Sequence, residues 1–156
     1  MRDLRRLDLE GETLTRLSPL LEADRAQAVA DLLAESRFRP SGIATTPLAL
    51  RLSIQEGRLV FDIRNDKDEP LIAHALALGP FRSLIRDYEM LVESHITAVA
   101  EGREARIQAI DMGRRGLHNE GAELLRQRLA SKIELDFETA RRLFTLVCVL
   151  HTRIGS

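Results

Sequence analysis

Between Ile107 and Leu129 the sequence reads IQAIDMGRRGLHNEGAELLRQRL, and its spacing gathers ionisable groups on one helical side. Ile107, Ile110, Arg114, Leu117, Gly121, Leu124 and Arg128 recur at alternating steps of three and four, the spacing of an inward face. An arginine and a glycine therefore stand where that face should be apolar. Asp111 at i−3 and His118 at i+4 lie on the same side as Arg114, and Arg115, Asn119 and Glu123 form a neighbouring row. A charge facing a core is costly unless it is paired, so the cluster has a physical reason to exist.

Two kinds of chemistry fit it. In the first, Arg114 pairs with Asp111 and ties helices together, and the cluster is structural. In the second, the arginines hold a phosphate or another small anion in forked contacts, and His118 or Glu120 transfers protons. The residues such a site would draw on are Asp111, Arg114, Arg115, His118, Asn119, Glu120 and Arg142. Arg141 and Arg142 follow Asp136 closely, in the first turn of a helix, where the macrodipole disfavours cations. Either nearby Glu134, Asp136 and Glu138 neutralise them, or they join Arg114 and Arg115 in one basic pocket. Gly113, Gly116 and Gly121 each cost about 1 kcal/mol against alanine inside a helix. They predict a break near Gly113–Gly116 or the close approach of another backbone or ligand.

Other chemistries find little support. His118-Asn119-Glu120 is an H-x-E without the P-C-x-x-C that zinc deaminases need, and no H-x-x-x-H or E-x-x-H pair exists, so no metal is expected. Glycine-rich phosphate loops, G-x-S-x-G and the dinucleotide fingerprint are all missing, and no cofactor is expected. Cys148 is the one cysteine and lies in LFTLVCVLH, which makes it a small buried apolar residue. His95 falls in an apolar stripe and reads as a hydrogen-bonded core histidine, His74 as a half-buried strand neighbour, and His151 as a helix-end cation.

The composition bounds the partners. The 156 residues suit one domain spanning 1–156, with an ordinary hydrophobic content of 44% and a net charge of −1. No global field draws nucleic acid or an anionic membrane. One tyrosine, five phenylalanines and no tryptophan leave single-stranded bases little to stack on. Only Lys67 and Lys132 among the 23 basic side chains are lysines. No apolar run suits a signal peptide or a membrane span, so a cytoplasmic address is expected.

Three regions must position the cluster. In residues 1–46, Leu4, Leu7 and Leu9 can make a short strand. A helix runs from Arg16 to Glu35 with Pro19 near its start, and Phe38 to Pro47 reads as a loop. Residues 47–78 form a β-meander: Leu48, Leu50, Leu52 and Ile54 alternate with Ala49, Arg51 and Ser53. Leu59, Phe61 and Ile63 lie on one face with Val60, Asp62 and Arg64 on the other, and LIAHALAL supplies a third strand. Short turns imply antiparallel pairing. Residues 79–156 are helical, with one helix from Gly79-Pro80 to Gly102 and an interrupted one from Arg103 to Ala130. An extended link over Lys132 to Leu135 follows, then a last helix capped by Asp136. From Leu143 to Leu150 that helix is apolar nearly all round and should be central. The fold class is α+β: a three-stranded antiparallel meander, with room for a fourth strand, packed against a C-terminal helical layer.

The runs LVFDIR, PFRSLIRDY, AIDMGRRGLHNEGAELL and DFETARRLFTLVCVLH resemble a placeholder-named, uncharacterised family of small conserved bacterial proteins of unknown function. The resemblance covers Leu48 to His151 and implies the same fold and role, but no site residues. The sequence thus favours an interaction or regulatory module without catalysis, self-associating as a homodimer or meeting a partner. The alternative is an enzyme or binding protein for a small phosphorylated or other anionic ligand at Arg114, Arg115 and His118.

Overall fold

The computed structural model describes residues 2–11, 18–44 and 47–153. A four-stranded sheet runs in the order β1 (Leu4–Leu9), β3 (Leu48–Gln55), β4 (Arg58–Asn65), β5 (Pro70–Ala77). The last three form the expected antiparallel meander, with Leu52 opposite Phe61 and Phe61 opposite His74. The fourth strand is β1, and it pairs parallel to β3, which makes the sheet mixed. Leu50, Leu52, Leu59, Phe61 and Ile63 share one fully buried face. On the other, Arg51 meets Asp68 at 2.6 Å and Arg64 meets Asp62 at 3.1 Å. That alternation places the core on one side of the sheet.

Four helices supply that side: α1 (Pro19–Ala34), α2 (Arg82–Ala100), α3 (Glu104–Leu129) and α4 (Phe137–Arg153). Helix α1 starts at Pro19 because Ser18 accepts the Leu21 amide at 3.0 Å, a side-chain cap; Arg16 and Leu17 lie outside the described residues. A single 3-10 turn over Gly79–Phe81 leads into α2. Gly102 ends the α2 segment with φ +65°, a backbone that glycine adopts without strain. The Thr139 amide bonds to the Asp136 side chain at 2.9 Å and caps α4 as its residue type suggested. All eight residues from Leu143 to Leu150 are buried, and α4 packs on α1, α2, α3 and β3.

Two expectations are corrected. The stretch from Phe38 is not all loop: β2 (Phe38–Pro40) pairs antiparallel with β6 (Ile133–Leu135), which turns the extended link before α4 into a strand. Tertiary pairing overrides the turn composition there, and Pro40 ends its strand, where the lost amide donor matters least. Helix α3 is also continuous through Gly113 and Gly116. Its glycine signal has its physical cause at Gly121, where a Cβ would overlap the Phe144 ring of α4. The inward seam of α3 runs through Ile110, His118, Gly121, Ala122, Leu125 and Leu129, while Arg128 is exposed. No helix among the described residues is long and apolar enough to cross a membrane.

Candidate functional site

Helices α1, α3 and α4 enclose a cleft of about 490 Å³. Arg114, Arg115 and His118 reach it from α3, and Arg141 and Arg142 from the first turns of α4. The facing wall is α1, which contributes Asp24, Gln27 and Asp31 along with Leu20, Ala23 and Ala28.

Arg114 is the anchor. Its Nη2 donates to Asp111 Oδ1 at 2.5 Å and its Nη1 to Asp24 Oδ1 at 2.8 Å. The Tyr88 hydroxyl donates to the other Asp24 oxygen at 2.7 Å. Three helices are thus tied through one carboxylate. Burial lifts the pKa of Asp24 above the ordinary carboxylate value, and the contacts with Arg114 and Tyr88 only partly offset that. Burial likewise raises Tyr88, with Asp24 beside it adding to the shift, so its hydroxyl keeps its proton and acts as a donor.

His118 is 2% exposed and stacks at a tilt near Tyr88, the ring centroids 5.5 Å apart. Burial first, and then the nearby Arg114 and Arg141 guanidinium groups, push its pKa down to about 3. The imidazole is therefore neutral at pH 7. Its Nε2 and the Nε of Arg114 are buried without a hydrogen-bond partner among the described residues. Unsatisfied buried donors and acceptors are uncommon in folded proteins.

The α4 arginines differ from one another. Arg142 meets Asp31 at 3.2 Å and Glu138 at 3.4 Å, so it is neutralised. Arg141 donates from Nε to Asn119 Oδ1 at 2.8 Å and makes no ion pair among the described residues. An uncharged amide orients it without cancelling its charge. Arg115 meets Asp111 at 3.1 Å and is 67% exposed at the rim.

The sequence-predicted residues therefore divide. The cleft brings together Arg114, Arg115, His118 and Arg142. Asp111 stands behind Arg114, and Asn119 holds Arg141 from outside the lining. Glu120 is exposed and does not line the cleft: it follows the buried His118 on the outer side of α3. His95, expected as a hydrogen-bonded core residue, is half-buried at a hollow beside Ile107 and Ile110. His151 meets Glu89 Oε2 at 2.9 Å.

Sequence reasoning missed Asp24, Gln27, Asp31 and Tyr88. A signal existed: Asp24 and Asp31 are seven residues apart on α1, two turns along one side and next to Leu21, Ala28 and Leu32. Carboxylates bordering an apolar stripe ask for cations on a neighbouring helix. Cys148 is fully buried with its thiol held protonated by burial, and Thr145 donates its hydroxyl to the Arg141 carbonyl at 3.0 Å. Neither is poised as a nucleophile. Among the described residues, no group of three or more histidine, cysteine or carboxylate side chains is arranged to hold a metal ion.

Comparison with known proteins gives a consistent result. The sequence pattern of an uncharacterised protein family, UPF0262, matches residues 1–153. A UPF0262 protein of Granulibacter bethesdensis is 69% identical over 154 residues, covering 94% of this chain and 88% of the relative. One from Acidiphilium cryptum is 62% identical over 96% of this chain and 93% of its own, and one from Maricaulis maris 50% over 97% and 94%. No solved structure matches the chain significantly.

Proposed function

This chain belongs to the uncharacterised protein family UPF0262, and we propose that it is a binding module without catalysis whose α1–α3–α4 cleft takes a small organic anion. The observation that carries the reading is Arg141, a cation lining the cleft, oriented by Asn119 and left without a carboxylate among the described residues. A carboxylate or phosphate oxygen would complete its guanidinium fork. The cleft volume falls in the range of small-molecule sites. Binding is favoured over chemistry because the two cleft groups that could carry a proton are committed to the fold. His118 titrates near 3, and both Asp24 oxygens are engaged.

Inorganic phosphate at constant ionic strength is the simplest probe. A ligand at a hundred times its Kd stabilises the folded state by about 2.7 kcal/mol, enough to read in a thermal melt. Phosphate, compared with chloride, is expected to raise the melting temperature of the wild type and to leave that of Arg141→Gln unchanged. Equal responses of the two proteins would remove Arg141, and with it this reading of the cleft.

A further inference from the structure

The two edges of the main sheet are not alike. Strand β1 carries Arg5, Arg6 and Asp8 in six residues, and charged side chains are a common guard against edge pairing. Strand β5 is eight residues long, PLIAHALA, and contains no charged residue. Among the described residues it pairs with β4 alone, so the backbone donors and acceptors on its far side have no strand beside them. Ala73, Ala75 and Ala77 are exposed along it. His74 adds no charge near neutral pH, since burial and then the nearby Lys132 lower its pKa. A long, uncharged, open edge is a ready template for another strand.

The geometry points to a second copy of this chain as that strand, joined antiparallel through β5 about a two-fold axis at His74. Three features select this partner. An antiparallel strand meeting itself sets its central residue against its own copy, so a charge there would face a like charge, and β5 carries none. Residues directly opposite one another lie on the same face of the sheet, so an axis through a residue keeps the two buried faces continuous. Centred on His74, the pairing sets Ile72 against Leu76 of the second copy and Ala73 against Ala75. It also leaves Pro70, which has no amide hydrogen, beyond the paired stretch. The result is one eight-stranded sheet, with β1 as its guarded edge at either end.

Sedimentation velocity of the full chain over a micromolar concentration series tests this. The mass is expected to rise from one chain to two. Ala75→Lys, an exposed change that leaves the helical core untouched, is expected to weaken the dimer at least tenfold with an unchanged circular dichroism spectrum. Ala73→Glu combined with Ala75→Lys is expected to restore it, because each glutamate then faces a lysine of the other copy. A mass that stays at one chain throughout would leave the edge to a strand of different chemistry and overturn the proposal. So would a dimer indifferent to Ala75→Lys.

Discussion

His118 is a buried neutral imidazole, and its protonation has a direct energetic consequence. In the unfolded chain it titrates near the ordinary value of 6.5, and in the folded protein near 3. The folded state therefore resists taking the proton. The stabilisation is complete above about pH 6.5 and is lost progressively as pH falls toward 3, by about 1.4 kcal/mol for each pH step between those values. Asp24 acts in the opposite sense: a raised carboxyl favours the folded state at low pH and loses that contribution as pH rises through its folded value. Urea unfolding of the wild type and His118→Gln at pH 7 and pH 4.5 separates the two. The wild type is expected to lose about 3 kcal/mol more than the variant. An equal loss would mean that His118 is hydrated and titrates normally.

Arg114 gives a second residue-scale prediction. Asp24 is 11% exposed and Asp111 39%, so they do not contribute equally to holding it. Asp24→Ala removes the more desolvated partner and strands the Tyr88 hydroxyl as well, and is expected to cost about 3–5 kcal/mol. Asp111→Ala, at a wetter position, is expected to cost less. Chemical denaturation ranks the two. The Arg114–Asp111 pair was legible from i, i+3 spacing alone, but Asp24 was not. It lies ninety positions away, and only the packing of α1 beside α3 brings it there.

At the scale of elements, the glycines of α3 separate intrinsic propensity from packing. Glycine costs about 1 kcal/mol against alanine inside a helix, so Gly→Ala should stabilise wherever there is room. At Gly116 a Cβ meets nothing within 4 Å, and Gly116→Ala is expected to gain up to about 1 kcal/mol. At Gly121 the Phe144 ring fills the space, and overpacking of about 1–3 kcal/mol outweighs the gain, so Gly121→Ala is expected to destabilise. Thermal melts of the two single variants read the sign directly. The same contrast shows why the sequence suggested a break in α3. Glycine frequency reports backbone preference, whereas continuity is decided by what the helix packs against. The meander, α2 and buried α4 were legible because their periodicity comes from burial itself. The β2–β6 ribbon was not, because two three-residue strands carry almost no periodic signal.

For the molecule as a whole, the least legible region proves structurally central. Residues 2–44 supply strand β1 beside β3, strand β2 beside β6, and helix α1 with the carboxylate wall of the cleft. Leu4, Leu21, Leu32 and Phe38 are fully buried in the common core. A chain beginning at residue 47 keeps the meander and three helices but bares the β3 edge and the α1-facing side of α4. It is expected to show helical circular dichroism without a cooperative melt, and to bind a hydrophobic dye. A sharp two-state transition would mean that the C-terminal part folds on its own.

The small ribbon also sets a timetable. Phe38 pairs with Leu135, so one of its strands is synthesised roughly a hundred residues before the other. At about 5–20 residues per second on the ribosome, the first strand waits about 5–20 s for its partner. Helix α4 emerges later still, so α1 lacks its main packing partner until α4 is made. During that interval Leu21, Leu32 and Phe38 are exposed to whatever the nascent chain meets. Closure of this fold therefore waits on β6 and α4, and α1 and β2 must be kept from wrong partners until both are made.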